Sequence, residues 1–297
     1  MSHVIAVDVG GTGIKCAVLD SNLNVLETIN APTPKGDSSG VETVRAIANI
    51  YNELSARYAI LAMGLAVPGT LDEPRGIARW AGNLNWNDLE IVKLVKDAVN
   101  IPIAFKHDVR AGAYAEQKLG ALQRVQNGVF LPIGTGIAAA LILDGEIRSS
   151  SGYSGEVGHI SVGSSRSCVC GKSGCLEATS STLAISTEYK KRSGKDLSTS
   201  EIVTRLDKDE IAKEVWSEAI DGLSIALLDL ITILAPEVIV LGGGLGDSGK
   251  LLIDSLTKEL RRELTFQREP ELRIAHFGSR AGTIGCGLIA WELVNAK

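Results

Sequence analysis

His159, Cys168, Cys170 and Cys175 follow the spacing H-x8-C-x-C-x4-C. One imidazole and three thiolates suit a tetrahedral zinc ion. With all four positions taken by protein ligands, such a metal is structural. Gly171 and Gly174 permit the tight turns that bring the three sulfurs together. Glu156 lies three residues before His159, and Glu177 two residues after Cys175. Closing the loop on a metal therefore draws Glu156, His159 and Glu177 into one region, where they can serve as charge-assisted partners of ligand hydroxyls.

A second constellation opens the chain. Asp8 ends an apolar β-branched run and is followed by Gly10, Gly11, Thr12, Gly13 and Lys15. Glycines there let the backbone approach an anion and aim N–H groups at it. The carboxylate suits Mg²⁺, held directly or through water, and Lys15 adds positive charge nearby. The residues Gly11, Thr12, Gly13 and Ile14 return as Gly134, Thr135, Gly136 and Ile137, again between apolar strands. A third glycine cluster follows at Gly242, Gly243 and Gly244. Nucleotide phosphate binding is the chemistry these turns share. The fingerprints of P-loop and dinucleotide-binding folds are missing. In the register of the repeat, Asp8 aligns with Leu131, so only the first copy offers a metal-binding carboxylate.

The remaining candidate is Asp108, after a predicted strand and before a predicted helix. Position alone reads as a helix N-cap. The end of a strand is also where α/β folds place reacting groups, and a carboxylate there can take the proton of an attacking hydroxyl.

Positioning these residues requires α/β elements. The pattern predicts a strand–Gly–strand hairpin over 4–20, a helix over 41–57, a strand over 59–66 and a loop over 68–87. A helix over 89–99, a strand over 101–105 and a helix over 111–119 follow. The hairpin pattern then recurs over 129–143, which predicts two related α/β domains. Beyond the cysteines, residues 181–234 read as mostly helical, 237–241 as a buried strand, 250–260 as a helix, 272–277 as a strand and 281–294 as a final helix. The predicted domains are a smaller one over 1–117, on which the terminal helix 281–297 packs back, and a larger one over 118–280 carrying the zinc loop.

Composition narrows the function classes. The net charge of −5 argues against a nucleic-acid partner. The longest apolar stretches, 130–143 and 224–241, are short or broken by Asp229 and Pro236, so no membrane span is expected. Without a basic leader, and with Asp8 interrupting the first apolar run, the expectation is a cytoplasmic protein. Cys16 and Cys286 stand in apolar surroundings and read as buried thiols.

Together the motifs resemble the ROK family (repressors, open reading frames, kinases). They run from the Asp8–Lys15 segment through Gly134 and Gly136, Glu156-x-Gly158-His159 and Cys168-x-Cys170-Gly171-x-x-Gly174-Cys175-Leu176-Glu177 to Gly242–Gly244. The resemblance implies a two-domain actin-like ATPase fold (ribonuclease H-like, shared by hexokinase, Hsp70 and actin) with a cleft between lobes. It implies an ATP-dependent kinase acting on the 6-hydroxyl of glucose or of an N-acetylhexosamine such as GlcNAc or ManNAc, with Mg²⁺ and structural zinc. Asp108 then looks like the catalytic base. Gly69, Asn83 in Asn83-Leu84-Asn85-Trp86, His107, Glu156, His159 and Glu177 look like the sugar wall. The nucleotide would lie between the two hairpins, with adenosine near Gly243 and Gly244, and family members are often dimers or tetramers.

Two departures stand out. The family commonly has Asn before the catalytic Asp, where this chain has His107, a larger group of different hydrogen-bonding geometry. More glycine is usual after the second Gly-Ile, where this chain has Ala138, Ala139 and Ala140. Rival readings are a ROK-type repressor, for which no helix-turn-helix segment precedes Val4, a sugar sensor without turnover, and a kinase using polyphosphate.

Overall fold

The computed structural model describes residues 2–296; Met1 and Lys297, which the predicted domain ranges include, lie outside the described residues. The chain divides into two compact units. One comprises the chain up to Ala115, the short stretch Ser149–Tyr153 and the chain from Arg280 onward; the other holds Glu116–Arg148 and Ser154–Ser279.

In the first unit, β1 (Ser2–Val9), β2 (Gly13–Leu19), β3 (Val25–Pro32), β4 (Ala59–Val67) and a strand Ile103–His107 form one sheet. Its order is β3-β2-β1-β4 and then Ile103–His107. The β1–β2 and β2–β3 pairs are antiparallel and the other two parallel. Val4–Val7, Val9 and Met63 are completely buried, as parallel strands covered on both faces require. Helices α1 (Val41–Ser55) and α2 (Ile91–Val99) bury Ile47, Leu54, Ile91 and Val95 in the same core. The C-terminal helix Ala281–Asn295 packs on β1 and β4. Its backbone passes so close that a Cβ on Gly64 of β4 would stand 1.9 Å from the Cys286 carbonyl oxygen.

Residues 68–87, expected as a loop, instead hold most of a second sheet of β5 (Thr70–Asp72), β6 (Ile77–Ala81) and β7 (Trp86–Leu89), which runs on to Leu89. These strands have three to five residues and are interrupted by Pro74, Gly76 and Gly82, too short for alternation to show. Arg79 bridges the sheet, its guanidinium donating to Asp72 and Asp88 at 2.8 Å each. The strand Ile103–His107, hereafter β8, leads into α3 (Asp108–Leu119) without a break, so the helix predicted from 111 begins three residues earlier.

The second unit repeats the plan. Strands β9 (Gly128–Pro132), β10 (Ala140–Leu143), β11 (Glu146–Arg148), β12 (Val238–Gly242) and β13 (Glu271–Ile274) are ordered β11-β10-β9-β12-β13. Antiparallel and parallel pairs fall in the same places as in the first sheet. Helices α4 (Glu177–Ser180), α5 (Thr182–Ser193), α6 (Thr199–Val203), α7 (Glu210–Leu234), α8 (Gly243–Gly246) and α9 (Lys250–Glu263) complete it. The core is centred on α7, which buries Val215, Leu223 and Leu227 among Ile239, Leu241, Leu252 and Leu256. No helix among the described residues is long and apolar enough to cross a membrane.

Candidate functional site

In the first unit the β1–β2 reversal is a tight turn in which the Gly10 N–H donates to the Gly13 carbonyl at 2.8 Å. The N–H groups of Gly11 and Thr12 have no backbone partner among the described residues. Thr33 braces the turn, its hydroxyl donating to the Gly10 carbonyl at 2.7 Å. Asp8 sits opposite Lys15 across the hairpin. Burial pushes the Asp8 carboxyl up to about 6; the Asp108 charge adds to the shift and Lys15 opposes it. The C-terminal helix begins against this group, since a Cβ on Gly282 would lie 2.8 Å from Asp8 Oδ2.

Asp108 opens α3, with 28 % of its side chain exposed. Burial pushes its carboxyl to about 6, against the lowering effects of the Val109 N–H and the Arg110 guanidinium. That places it where a carboxylate can accept a hydroxyl proton near neutral pH. The preceding His107 is buried, and burial together with Arg110 pushes its imidazole down to about 3.

Behind these two residues lies a pair that sequence reading missed. Glu73 Oε1 accepts the His107 N–H at 3.0 Å and the Arg110 Nε–H at 2.9 Å. Arg110 Nη2 lies 2.8 Å from the same oxygen, with 3 % of the arginine side chain exposed. Breaking the pair would leave the buried Arg110 guanidinium uncompensated, so Glu73 fixes the β8–α3 junction that carries His107 and Asp108. The one hint was a charged residue two positions after Asp108, on a helix otherwise rich in alanine.

The sugar-wall candidates divide between the units: Gly69, Asn83, His107 and Asp108 in the first, Glu156, His159 and Glu177 in the second. Gly69 has φ 99°, and a Cβ there would meet the Trp80 carbonyl oxygen at 2.2 Å, so only glycine fits. Asn83 abuts the first glycine turn, with its Cβ 3.0 Å from where a Gly11 Cβ would stand.

The second unit carries a shorter copy of the turn, in which the Gly134 N–H donates to the Gly136 carbonyl at 3.0 Å. Gly243 and Gly244 open α8 beside it. The Leu245 N–H donates to the Ile133 carbonyl at 3.0 Å, and the Ile133 N–H to the Gly242 carbonyl at 2.9 Å. Thus Gly134, Thr135 and Gly136 come together with Gly243 and Gly244.

Residues 160–176 fold back on themselves. The Val162 N–H donates to the Gly174 carbonyl, the Leu176 N–H to the Ile160 carbonyl, and Ser167 bridges Ser173. Gly171 and Gly174 take φ 88° and 87°, as the turns require. The donor atoms of His159, Cys168, Cys170 and Cys175 all lie within 4.8 Å of one another. Cys170 and Cys175 sulfurs are 3.6 Å apart, and His159 Nδ1 lies 3.6 Å from Cys168 Sγ. A disulfide needs about 2.05 Å. Around one tetrahedral ion, with bonds of about 2.3 Å to sulfur and about 2.0 Å to nitrogen, such pairs stand about 3.5–3.8 Å apart. The residues therefore fit a shared metal, bound through Nδ1 of the histidine. Arg166 ties the loop down, donating to the Thr179 carbonyl at 3.1 Å and reaching Glu218 and Glu188.

Residues 4–292 match the sequence profile described as the ROK family. The chain belongs to the ROK family. ROK relatives of known activity align along its length: the glucokinase of Streptomyces coelicolor is 27% identical over 98% of both chains. The N-acetyl-D-glucosamine kinase of Histophilus somni is 28% identical over 95% of this chain and 97% of its own. The crystal structure of a ROK family glucokinase from Streptomyces griseus, in complex with glucose and AMPPNP, superposes with a TM-score of 0.87. It is 26% identical, with 98% of this chain and 99% of that one covered. The two units accordingly have the actin-like ATPase fold of this family. A xylose repressor of Bacillus subtilis is 26% identical over 78% of this chain and 61% of its own length, so the family also includes regulators.

Proposed function

We propose that the chain is an ATP-dependent sugar kinase that transfers the γ-phosphoryl group to the 6-hydroxyl of a hexose, either glucose or an N-acetylhexosamine. The observation that carries this reading is the placing of Asp108 on the first residue of α3, at the junction that Glu73 and Arg110 fix, with its carboxyl raised by burial to about 6. It stands in a chain similar from end to end to glucokinases.

Phosphoryl transfer asks little covalent chemistry of a protein. Positioning and stabilisation of charge do most of the work. Asp108 accepts the proton of the attacking hydroxyl. His107 and Asn83 orient the sugar, with Gly69 forming wall. Glu156, His159 and Glu177 bind hydroxyls on the side of C2, where glucose and the N-acetylhexosamines differ. Gly11, Thr12, Thr135 and Gly136 point N–H groups at phosphate oxygens, Lys15 adds charge, and Gly243 and Gly244 receive adenosine. Magnesium bound with ATP would neutralise charge on the donor phosphates, and Asp8 would hold it. Zinc on His159 Nδ1, Cys168, Cys170 and Cys175 would staple the loop, leaving His159 Nε2 for the sugar. Location of the phosphate on C6 of the product, by phosphorus–carbon coupling in NMR spectra, tests the regiochemistry; phosphate on C1 contradicts the assignment of Asp108.

The xylose repressor relative favours a second reading, a sugar-responsive regulator without turnover. Sugar binding without ADP formation would select it.

A further inference from the structure

The 134–137 turn and the metal-binding loop meet at Ile137. Glu177 Oε2 accepts the Ile137 N–H at 2.9 Å. A Cβ on Gly136 would stand 2.7 Å from that same oxygen, so the carboxylate lies close against the turn. The Ile137 carbonyl is pressed by the other arm of the loop: a Cβ on Gly158 would lie 2.2 Å from its oxygen. Gly158 precedes His159, and Glu177 follows Cys175 by two residues, so both flanks of the cysteine–histidine cluster grip one residue of the turn. The Thr182 N–H, past the end of α4, donates to the Gly134 carbonyl at 2.8 Å and holds the turn's other end. Glu177 Oε1 has no hydrogen-bond partner among the described residues.

We infer that Glu177 couples the two substrates. Oε1 receives a sugar hydroxyl while Oε2 fixes the Ile137 N–H, so that sugar binding settles the turn in the geometry that accepts donor phosphates. Glu177 acts on the nucleotide through Ile137 and is, toward the nucleotide, a positioning residue. The inference rests on the sugar-kinase reading. Linkage requires the effect to be reciprocal: nucleotide must tighten sugar binding by the factor with which sugar tightens nucleotide.

The test is calorimetric titration of the zinc-replete protein with Mg–AMPPNP, with and without saturating glucose or GlcNAc, and the reverse titration. The wild type is expected to show a reciprocal gain within the usual range of about 5- to 150-fold. In Glu177→Gln, which keeps the shape of the side chain, and in Glu177→Ala, each measured at a sugar concentration that saturates that variant, the gain falls to within about twofold. Hydrogen exchange at the Ile137 amide gives a second readout: sugar slows it in the wild type and leaves it unchanged in both variants. Metal content of each variant separates loss of coupling from loss of the cluster. A full gain retained in Glu177→Gln, or a wild type that binds both ligands without mutual effect, overturns the coupling role. A wild type that binds neither sugar overturns the kinase reading itself.

Discussion

His107 Nδ1 stands 3.1 Å from Asp108 Oδ1, and both atoms accept the same Val109 N–H, at 3.2 and 2.7 Å. With the imidazole pushed down to about 3, His107 is neutral across the working range, and the contact with Asp108 is not an ion pair. Replacing it with the asparagine common in the family substitutes an amide, a donor and acceptor of another shape. His107→Asn is expected to reorder kcat/KM across glucose, mannose, allose, GlcNAc and ManNAc. An unchanged ranking would remove His107 from the sugar wall.

The pH profile should carry the mark of two carboxyls. Asp108 must be deprotonated to act, and both it and Asp8 are pushed up to about 6. The sign follows directly: kcat/KM is full above that range and falls as pH drops through about 6. With two groups titrating together, the acid limb of log kcat/KM should approach a slope of 2 at low Mg²⁺. Raising Mg²⁺ should favour ionised Asp8 and bring the slope toward 1. An acid limb centred near pH 4 would contradict the burial of these groups.

Asp108→Asn separates catalysis from stability. Loss of the base should lower kcat by about 10²- to 10⁴-fold with sugar affinity largely kept. The raised pKa means that the folded state penalises the charged form. That penalty is complete above about pH 6 and is gone below the unfolded value near 4. Removing the charge should therefore stabilise the protein at pH 8 by about 1–2 kcal/mol, reduced for partial exposure, and not at pH 4. Equal thermal shifts at the two pH values would show that Asp108 is not desolvated.

Cys170→Ser removes one of the four donors around the cluster. Metal content by elemental analysis should fall from about one equivalent to near none, and residues 160–176 should lose protection from proteolysis. Unchanged metal content would refute the ligand set.

Much of this was legible in the sequence where chemistry depends on residue type at short range. The cysteine–histidine spacing pointed to a single cluster, and the repeated Gly-Thr-Gly-Ile to two hairpins of the same form, because a ligand loop and a hairpin turn are local objects. The three-stranded sheet over 70–89 was invisible, since strands of three to five residues barely alternate. So was the Glu73–Arg110 pair, whose members lie 37 residues apart and meet only after β8 has joined the sheet. Gly282 and Gly136 look like ordinary glycines until the carboxylates of Asp8 and Glu177 are seen against them.

The most direct measurement is ADP release from Mg-ATP by the zinc-replete protein, offered glucose, mannose, fructose, allose, GlcNAc and ManNAc in turn. The account predicts sugar-dependent turnover with glucose or an N-acetylhexosamine, lowered by about 10²- to 10⁴-fold in Asp108→Asn. Absence of turnover with every sugar, in protein that binds at least one of them, would contradict it.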